Sequence, residues 1–127
     1  MGDVSEVELV RRWQGLLARH AAVYNALEQE LRQHHDLGVP EFEALERLAG
    51  CQLGKCRGAE LSEAVHLSQS AASRLVARME RDGLVERSLC EDDRRGIFVR
   101  LTEHGRRRYL DARPTHRAVL ATTLDPQ

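Results

Sequence analysis

From Ser5 onward the chain carries a capping-box pattern, Ser5-Glu6-Val7-Glu8, with Ser at the N-cap and Glu three residues on. Apolar residues then recur at Leu9, Trp13, Leu16, Leu17, Tyr24, Leu27 and Leu31, close to helical period, until Gly38 and Pro40 stop the pattern. A helix of about 28–30 residues is about 42–45 Å long at 1.5 Å per residue. A chain of 127 residues has material for one domain, and such a domain has a radius of gyration of only about 14 Å. Much of the helix must project beyond its own domain, and its apolar stripe needs cover. A second copy of the chain is the simplest cover, so residues 1–38 read as a dimerisation helix.

Composition narrows the class. Hydrophobic residues make up 42% and charged residues 31%, as in a globular chain rather than a disordered one. No apolar run approaches the ~18 residues that would span a bilayer. The start, Met1-Gly2-Asp3-Val4-Ser5-Glu6, lacks the basic and apolar parts of a secretory signal, so a cytoplasmic location is expected. A net charge of −1 argues at first against a polyanionic partner. Its distribution argues otherwise. Residues 1–67 hold seven basic and eleven acidic side chains, a balance of −4, whereas residues 68–108 hold ten and seven, a balance of +3. Lys55 is the only lysine, and the other basic residues are arginine, whose planar fork suits phosphate and guanine. Arginine bias also follows from a GC-rich genome, so position has to decide.

Beyond Pro40, which suits the first turn of a helix, Phe42, Leu45 and Leu48-Ala49 share one face until Gly50. Cys51–Gly58 has no period and two glycines, and reads as a loop. Ala59–His66 reads as a short helix burying Leu61 and Val65. Ser68 is a good N-cap for a helix over Gln69–Arg81, with Ala71, Ala72, Leu75, Val76 and Met79 inward and Asp82-Gly83 ending it. Two alternating runs follow, Leu84–Leu89 and Ile97–Leu101, joined by polar residues 90–96. Thr102-Glu103 starts a last helix, which Pro114 should interrupt. The fold class is therefore mainly α with a small β-hairpin wing: a winged helix-turn-helix domain over 39–102, between dimerisation helices over 1–38 and 103–127.

In such a module the second helix enters the DNA major groove by its N-terminal half. Gln69, Ser70, Ser73 and Arg74 lie on that exposed face behind the cap Ser68; Gln can pair with adenine and Arg with guanine. Arg78 and Arg81 suit phosphate contact, or balance Glu80 and Asp82. A solvated helix face has the same composition. The hairpin tip adds Asp93, Arg94, Arg95 and Gly96. A carboxylate two residues before Arg95 can hold its guanidinium extended, a shape that enters a narrow minor groove; an ordinary charged turn is the alternative.

Several stretches, in order, resemble the MarR family of bacterial transcription regulators. They are Glu60–Val65, Leu67–Val76, Met79–Arg87 with its Gly-Leu-Val step, Asp93-Arg94-Arg95-Gly96, and Leu101-Thr102-Glu103-His104-Gly105. The similarity runs from about residue 39 to 113. It implies a homodimer on a palindromic double-stranded DNA operator, acting as a repressor released by a small-molecule effector or by cysteine oxidation. It implies that the first and last helices build the dimer, that Gln69, Ser70, Ser73 and Arg74 read DNA, and that Asp93 and Arg95 work in the wing. A further C-terminal helix is usual in the family. The sequence ends Thr122-Thr123-Leu124-Asp125-Pro126-Gln127, which puts the operator spacing in doubt.

Three cysteines do not suggest a disulfide framework. As a redox site, Cys56 between Lys55 and Arg57 is the best thiolate, with Cys51 as resolving partner; Cys90 stands beside three acids at the wing base. A zinc or copper site using these cysteines and a histidine has the wrong spacing, since Cys51 and Cys56 are separated by four residues and no Cys-x2-Cys occurs; small loop or core residues are the plainest reading. No metal or cofactor is expected. His34-His35 reads as a solvated helix end, and His66 as turn packing. No nucleophile–base pair or phosphate loop stands at usable spacing, so an enzyme is not expected. The competing class is a winged helix used for protein–protein contact.

Overall fold

The computed structural model describes residues 4–89 and 97–124. Ser5 caps α1 (Glu6–His35), its Oγ accepting from the Glu8 amide at 3.1 Å, and the helix runs 30 residues as the sequence predicts. It ends at Asp36, whose left-handed backbone (φ 53°) returns the N–H to the Arg32 carbonyl. Gly38 and Pro40, expected as its terminators, instead open α2 (Val39–Gly50). Gly38 has no side chain to cap α2, and Glu28 of α1 takes that role by accepting from the Val39 amide at 2.8 Å. Burial alone would raise the Glu28 pKa, but bonds from Arg32 and Val39 outweigh it and hold the carboxyl below its ordinary value.

The two halves of α1 differ in their surroundings. Residues 4–22 are exposed apart from half-buried Glu8, with Trp13 at 57% and Leu16 at 61%. From Val23 onward the helix packs on α2 and α5, and Leu27 and Leu31 are buried. The expected solvated end holds for exposed His34, beside Glu30 at 3.1 Å. It fails for His35, which is half-buried with Nε2 2.8 Å from Thr115 Oγ1 and its carbonyl against the Arg108 guanidinium.

The stretch read as a loop contains a 3₁₀ turn (Gln52–Gly54) and a strand, β1 (Lys55–Arg57). Three residues are too few for an alternating pattern to register, and the partner of β1 lies some forty positions on. That partner is β3 (Ile97–Leu101), with Cys56 opposite Val99; β3 also pairs with β2 (Val85–Leu89), giving an antiparallel sheet in the order β1-β3-β2. Cys51 and Cys56 form a disulfide with Cα atoms 6.2 Å apart, where the sequence suggests no disulfide framework but names this pair as thiolate and resolving partner. The tight turn brings the C-cap of α2 to β1 within the usual bridging span.

Between the turn and the hairpin lie α3 (Gly58–Ala64) and α4 (Gln69–Arg81). One core unites Phe42, Leu45 and Leu48 of α2 with Leu61, Leu75, Met79, Val85 and Val99. Val65 and Ala71, expected inward, are half-buried at its edge.

α5 (Glu103–Thr123) passes through Pro114 without the expected interruption. A proline inside a helix costs about 3 kcal/mol, and burial of Ala112, His116 and Val119 on both sides offsets it. His116 stacks on Phe42 at 4.3 Å. Its Nδ1 lies 2.7 Å from Arg117, a pure donor, leaving the Nε2 proton for Glu43 at 3.1 Å.

Candidate nucleic-acid interface

The turn between α3 and α4 is locked from inside. Buried Ser62 donates its hydroxyl to the Leu67 carbonyl at 3.0 Å, and the Leu67 amide returns to the Ser62 carbonyl at 3.2 Å. His66, in the left-handed region at φ 58°, makes the bend; it is exposed, so its role is backbone conformation more than packing. Ser68 then closes α4, its Oγ accepting from the Ala71 amide at 3.2 Å with the Ser70 hydroxyl 3.3 Å away. Ala72, Leu75, Val76 and Met79 are buried beneath. With one face in the core and the N-terminus capped, the opposite face has a single orientation: Gln69, Ser70, Ser73 and Arg74 are exposed together.

The cations on and near α4 divide into two sets. Arg78 meets Glu41 of α2 at 3.8 Å, not the expected Glu80 or Asp82, and Arg81 meets Asp82 at 3.7 Å. Glu80 is taken by Arg87 of β2, at 3.0 Å. Among the described residues no carboxylate stands at ion-pair distance from Arg74. The unneutralised part of α4 is therefore the half the sequence assigns to base contact.

Gly83 (φ 77°) turns the chain from α4 into β2, a conformation that suits glycine. At the hairpin's exit, Thr102 Oγ1 lies 2.6 Å from the Gly83 carbonyl and 3.0 Å from that of Leu84, and accepts from the Gly105 amide at 2.9 Å. A Cβ on Gly105 would overlap the Leu84 carbonyl oxygen, which explains physically why the exit reads Leu-Thr-x-x-Gly. The base of the wing is thus pinned on both sides. Asp93, Arg94, Arg95 and Cys90 lie outside the described residues.

Sequence reasoning missed one part of this surface. Lys55 and Arg57 stand exposed on β1, over the ring of Phe98, at 4.7 Å (Nζ) and 5.8 Å (Cζ) from its centroid. The only local sign was the triplet Lys-Cys-Arg, which gains meaning once β3 is beside it. The same alternation corrects the reading of Cys56. Its flanking cations point to the opposite face from its sulfur, which is 2% exposed and bonded to half-buried Cys51. Among the described residues no set of three His, Cys, Asp or Glu is placed to hold a metal ion, and no helix is long and apolar enough to cross a membrane.

Beside the α3–α4 turn is an open cavity of about 420 Å³ lined by His20, Tyr24, Val39, Pro40, Glu43 and Leu67. Burial, with the Glu28 and Glu41 charges, raises the Tyr24 hydroxyl above its usual pKa of 10.0. The cavity joins α1, α2 and the turn that positions α4.

Comparison with known proteins places this geometry. Residues 37–97 match the sequence model of the MarR family. The fold superposes on AbsC, a MarR family transcriptional regulator from Streptomyces coelicolor, with a TM-score of 0.84 and 31% identity, covering 97% of this chain and 82% of that one. Sco3205, a MarR family regulator from the same organism solved in complex with DNA, gives a TM-score of 0.86 at 23% identity, covering 98% and 77%. The HTH-type transcriptional regulator YfiV of Bacillus subtilis (strain 168) is 32% identical over 72 residues, 57% of this chain; the similarity spans 44% of that relative's length. These neighbours are transcription regulators, not enzymes.

Proposed function

The chain belongs to the MarR family, and from that premise we propose that it is a homodimeric, sequence-specific DNA-binding transcription regulator acting as a repressor. The observation that carries this reading is the exposed, unneutralised N-terminal half of α4, held in one orientation by Ser62, Ser68 and the core beneath. In this reading Gln69, Ser70, Ser73 and Arg74 meet base edges, Ser68 and Arg78 meet the backbone, and the Asp93–Arg95 tip enters the minor groove. Residues 39–102 form the reading module. Residues 1–38 and 103–127 form the dimer module, with the apolar stripe of α1 covered by the partner, which sets the two half-sites of a palindrome about one helical turn, or a multiple of it, apart.

Two inputs would release DNA. One is a small organic effector in the cavity lined by His20 and Tyr24. The other is oxidation: with Cys51 and Cys56 joined as a disulfide in the structure that presents this face, the remaining cysteine is Cys90, whose thiol a hydroperoxide would convert to a sulfenic acid while the hydroperoxide leaves as an alcohol. Selection of bound duplexes from a random pool, with reduced and with oxidised protein, tests the whole reading. A pseudo-palindromic consensus is expected, with release by peroxide from wild type and none from Cys90→Ser. Equal affinity for selected and random duplex at moderate salt would refute sequence-specific binding.

A further inference from the structure

The cavity beside the α3–α4 turn has a charged wall whose chemistry narrows what can enter. Glu43 of α2 lines it, together with His20 and Tyr24 of α1. Its carboxylate is held from α5: His116, 4% exposed and stacked on Phe42, donates from Nε2 to Glu43 Oε2 at 3.1 Å. Arg117 lies 2.7 Å from Nδ1 of the same ring and pairs with Glu46 at 2.8 Å. A guanidinium only donates, so Nδ1 accepts and the ring that meets Glu43 is the neutral Nε2–H form. The relay from Arg117 through His116 thus orients the Glu43 carboxylate without neutralising it. Among the described residues no lysine or arginine stands at ion-pair distance from Glu43.

The remaining lining decides what such a carboxylate meets. Tyr24 and His20 bring two rings with centroids 5.7 Å apart, and a tyrosine face attracts cations. Val39, Pro40, Val65 and Leu67 add apolar surface for a ligand's body. The field at the Tyr24 hydroxyl is negative. Beyond burial, the Glu28 and Glu41 charges are the largest causes of its raised pKa, ahead of the opposing Arg32. The volume of about 420 Å³ lies within the range of small-molecule sites, ~300–1,000 Å³. An anion entering here would face a like charge fixed in place, whereas a cation would find a counter-ion already oriented.

We propose that this cavity takes an organic cation, a protonated amine on an aromatic or alicyclic body, with Glu43 as its counter-ion and His116 as the residue that positions Glu43. The proposal rests on the effector reading above and names the chemical class of that effector. Val65 and Leu67, in the α3–α4 turn, share the cavity wall, and Leu67 is tied to Ser62 by the two hydrogen bonds that lock the turn. A ligand body seated against them would bear on the start of α4, so amine binding is coupled to the orientation of Gln69, Ser73 and Arg74.

The test is calorimetric titration of the full-length protein, without DNA, by tryptamine, tryptophol and indoleacetate, one indole body carrying a cation, a neutral hydroxyl or an anion. At about pH 8, above the ordinary histidine pKa, His20 and His66 add no charge of their own to the comparison. Tryptamine should bind about tenfold more tightly than tryptophol, because a charge-assisted bond replaces a neutral one, and indoleacetate should not bind. Glu43→Gln should abolish the amine's advantage and leave tryptophol unchanged. His116→Phe keeps a ring on Phe42 but removes the donor, so it should lower the amine-to-alcohol ratio at constant tryptophol affinity. An equal loss for both ligands would make His116 packing alone; if this variant unfolds, Glu43→Gln carries the comparison. Equal affinity for amine and alcohol, preference for indoleacetate, or binding of none of the three would overturn the cation site. Tryptamine binding that leaves affinity for the selected duplex unchanged would instead refute the effector reading, with the cation site intact.

Discussion

Helix α4 and the first half of α1 both carry apolar residues at helical spacing, and their surroundings are opposite. In α4 the stripe is covered by its own chain: Leu75 and Met79 are 1% exposed under α2, α3 and the sheet. In α1 the stripe through Val7, Val10, Trp13, Leu16 and Leu17 faces outward. Periodicity is the same signal in both cases, so it reports that a face wants cover without saying what covers it. The covered helix has its polar side fixed in one direction and can serve as a reader. The uncovered one has its apolar side available, which suits assembly.

The comparison can be broken most forcefully in α4. Leu75→Ala should destabilise the folded chain by about 2–5 kcal/mol, independently of protein concentration, as read by denaturant unfolding. A concentration-dependent loss would mean that α4, too, depends on a partner. In α1, Leu16→Arg should leave secondary structure intact. It should weaken self-association by about 1.5–3 kcal/mol per protomer, the value of a buried leucine, measured by sedimentation. Unchanged association would show that a second copy of the chain does not cover this stripe.

Gly105→Ala sharpens the contrast from the wing side. The added methyl meets the Leu84 carbonyl, so a loss of about 1–3 kcal/mol is expected, the usual range for overpacking. A neutral result would show that the hairpin base yields more readily than its bonds to Thr102 suggest. The smallest effect concerns the seam between α2 and α5. Burial would raise the Glu46 pKa, but the Arg117 bond and charge, with the Tyr109 hydroxyl, outweigh it and hold the carboxyl below 4.5. A carboxyl lowered on folding contributes stability above its unfolded pKa and loses it as pH falls through the folded value. Glu46→Gln should therefore flatten the loss of stability below pH 4.5, with little change in the pH response near neutrality.

Much of this architecture was legible where a signal is local. A capping box at Ser5, an N-cap at Ser68 and periodicity announced α1 and α4, and alternation announced β2 and β3 to within a residue. The exposed face Gln69, Ser70, Ser73 and Arg74 followed from which side of α4 was apolar. What escaped was non-local. β1 is too short to show a period and exists because β3 pairs with it, which also hid Lys55 and Arg57 as a surface. Pro114 announced a break that tertiary burial overrode. Neighbouring charges made Cys56 look reactive, although strand alternation turns those charges to the other face. Arg78 found its partner on α2, far away in sequence.

Local chemistry thus determined which segments become helices, where they start and which faces are apolar, because capping and periodicity act over one or two turns. Tertiary structure decided which apolar face the chain covers itself, which cations stay unneutralised, and that Cys51 reaches Cys56 beside a strand with no local signal. Those outcomes depend on contacts between residues tens of positions apart, such as the β1–β3 pairing that makes a strand of Lys55–Arg57, and sequence spacing carries no record of such distances.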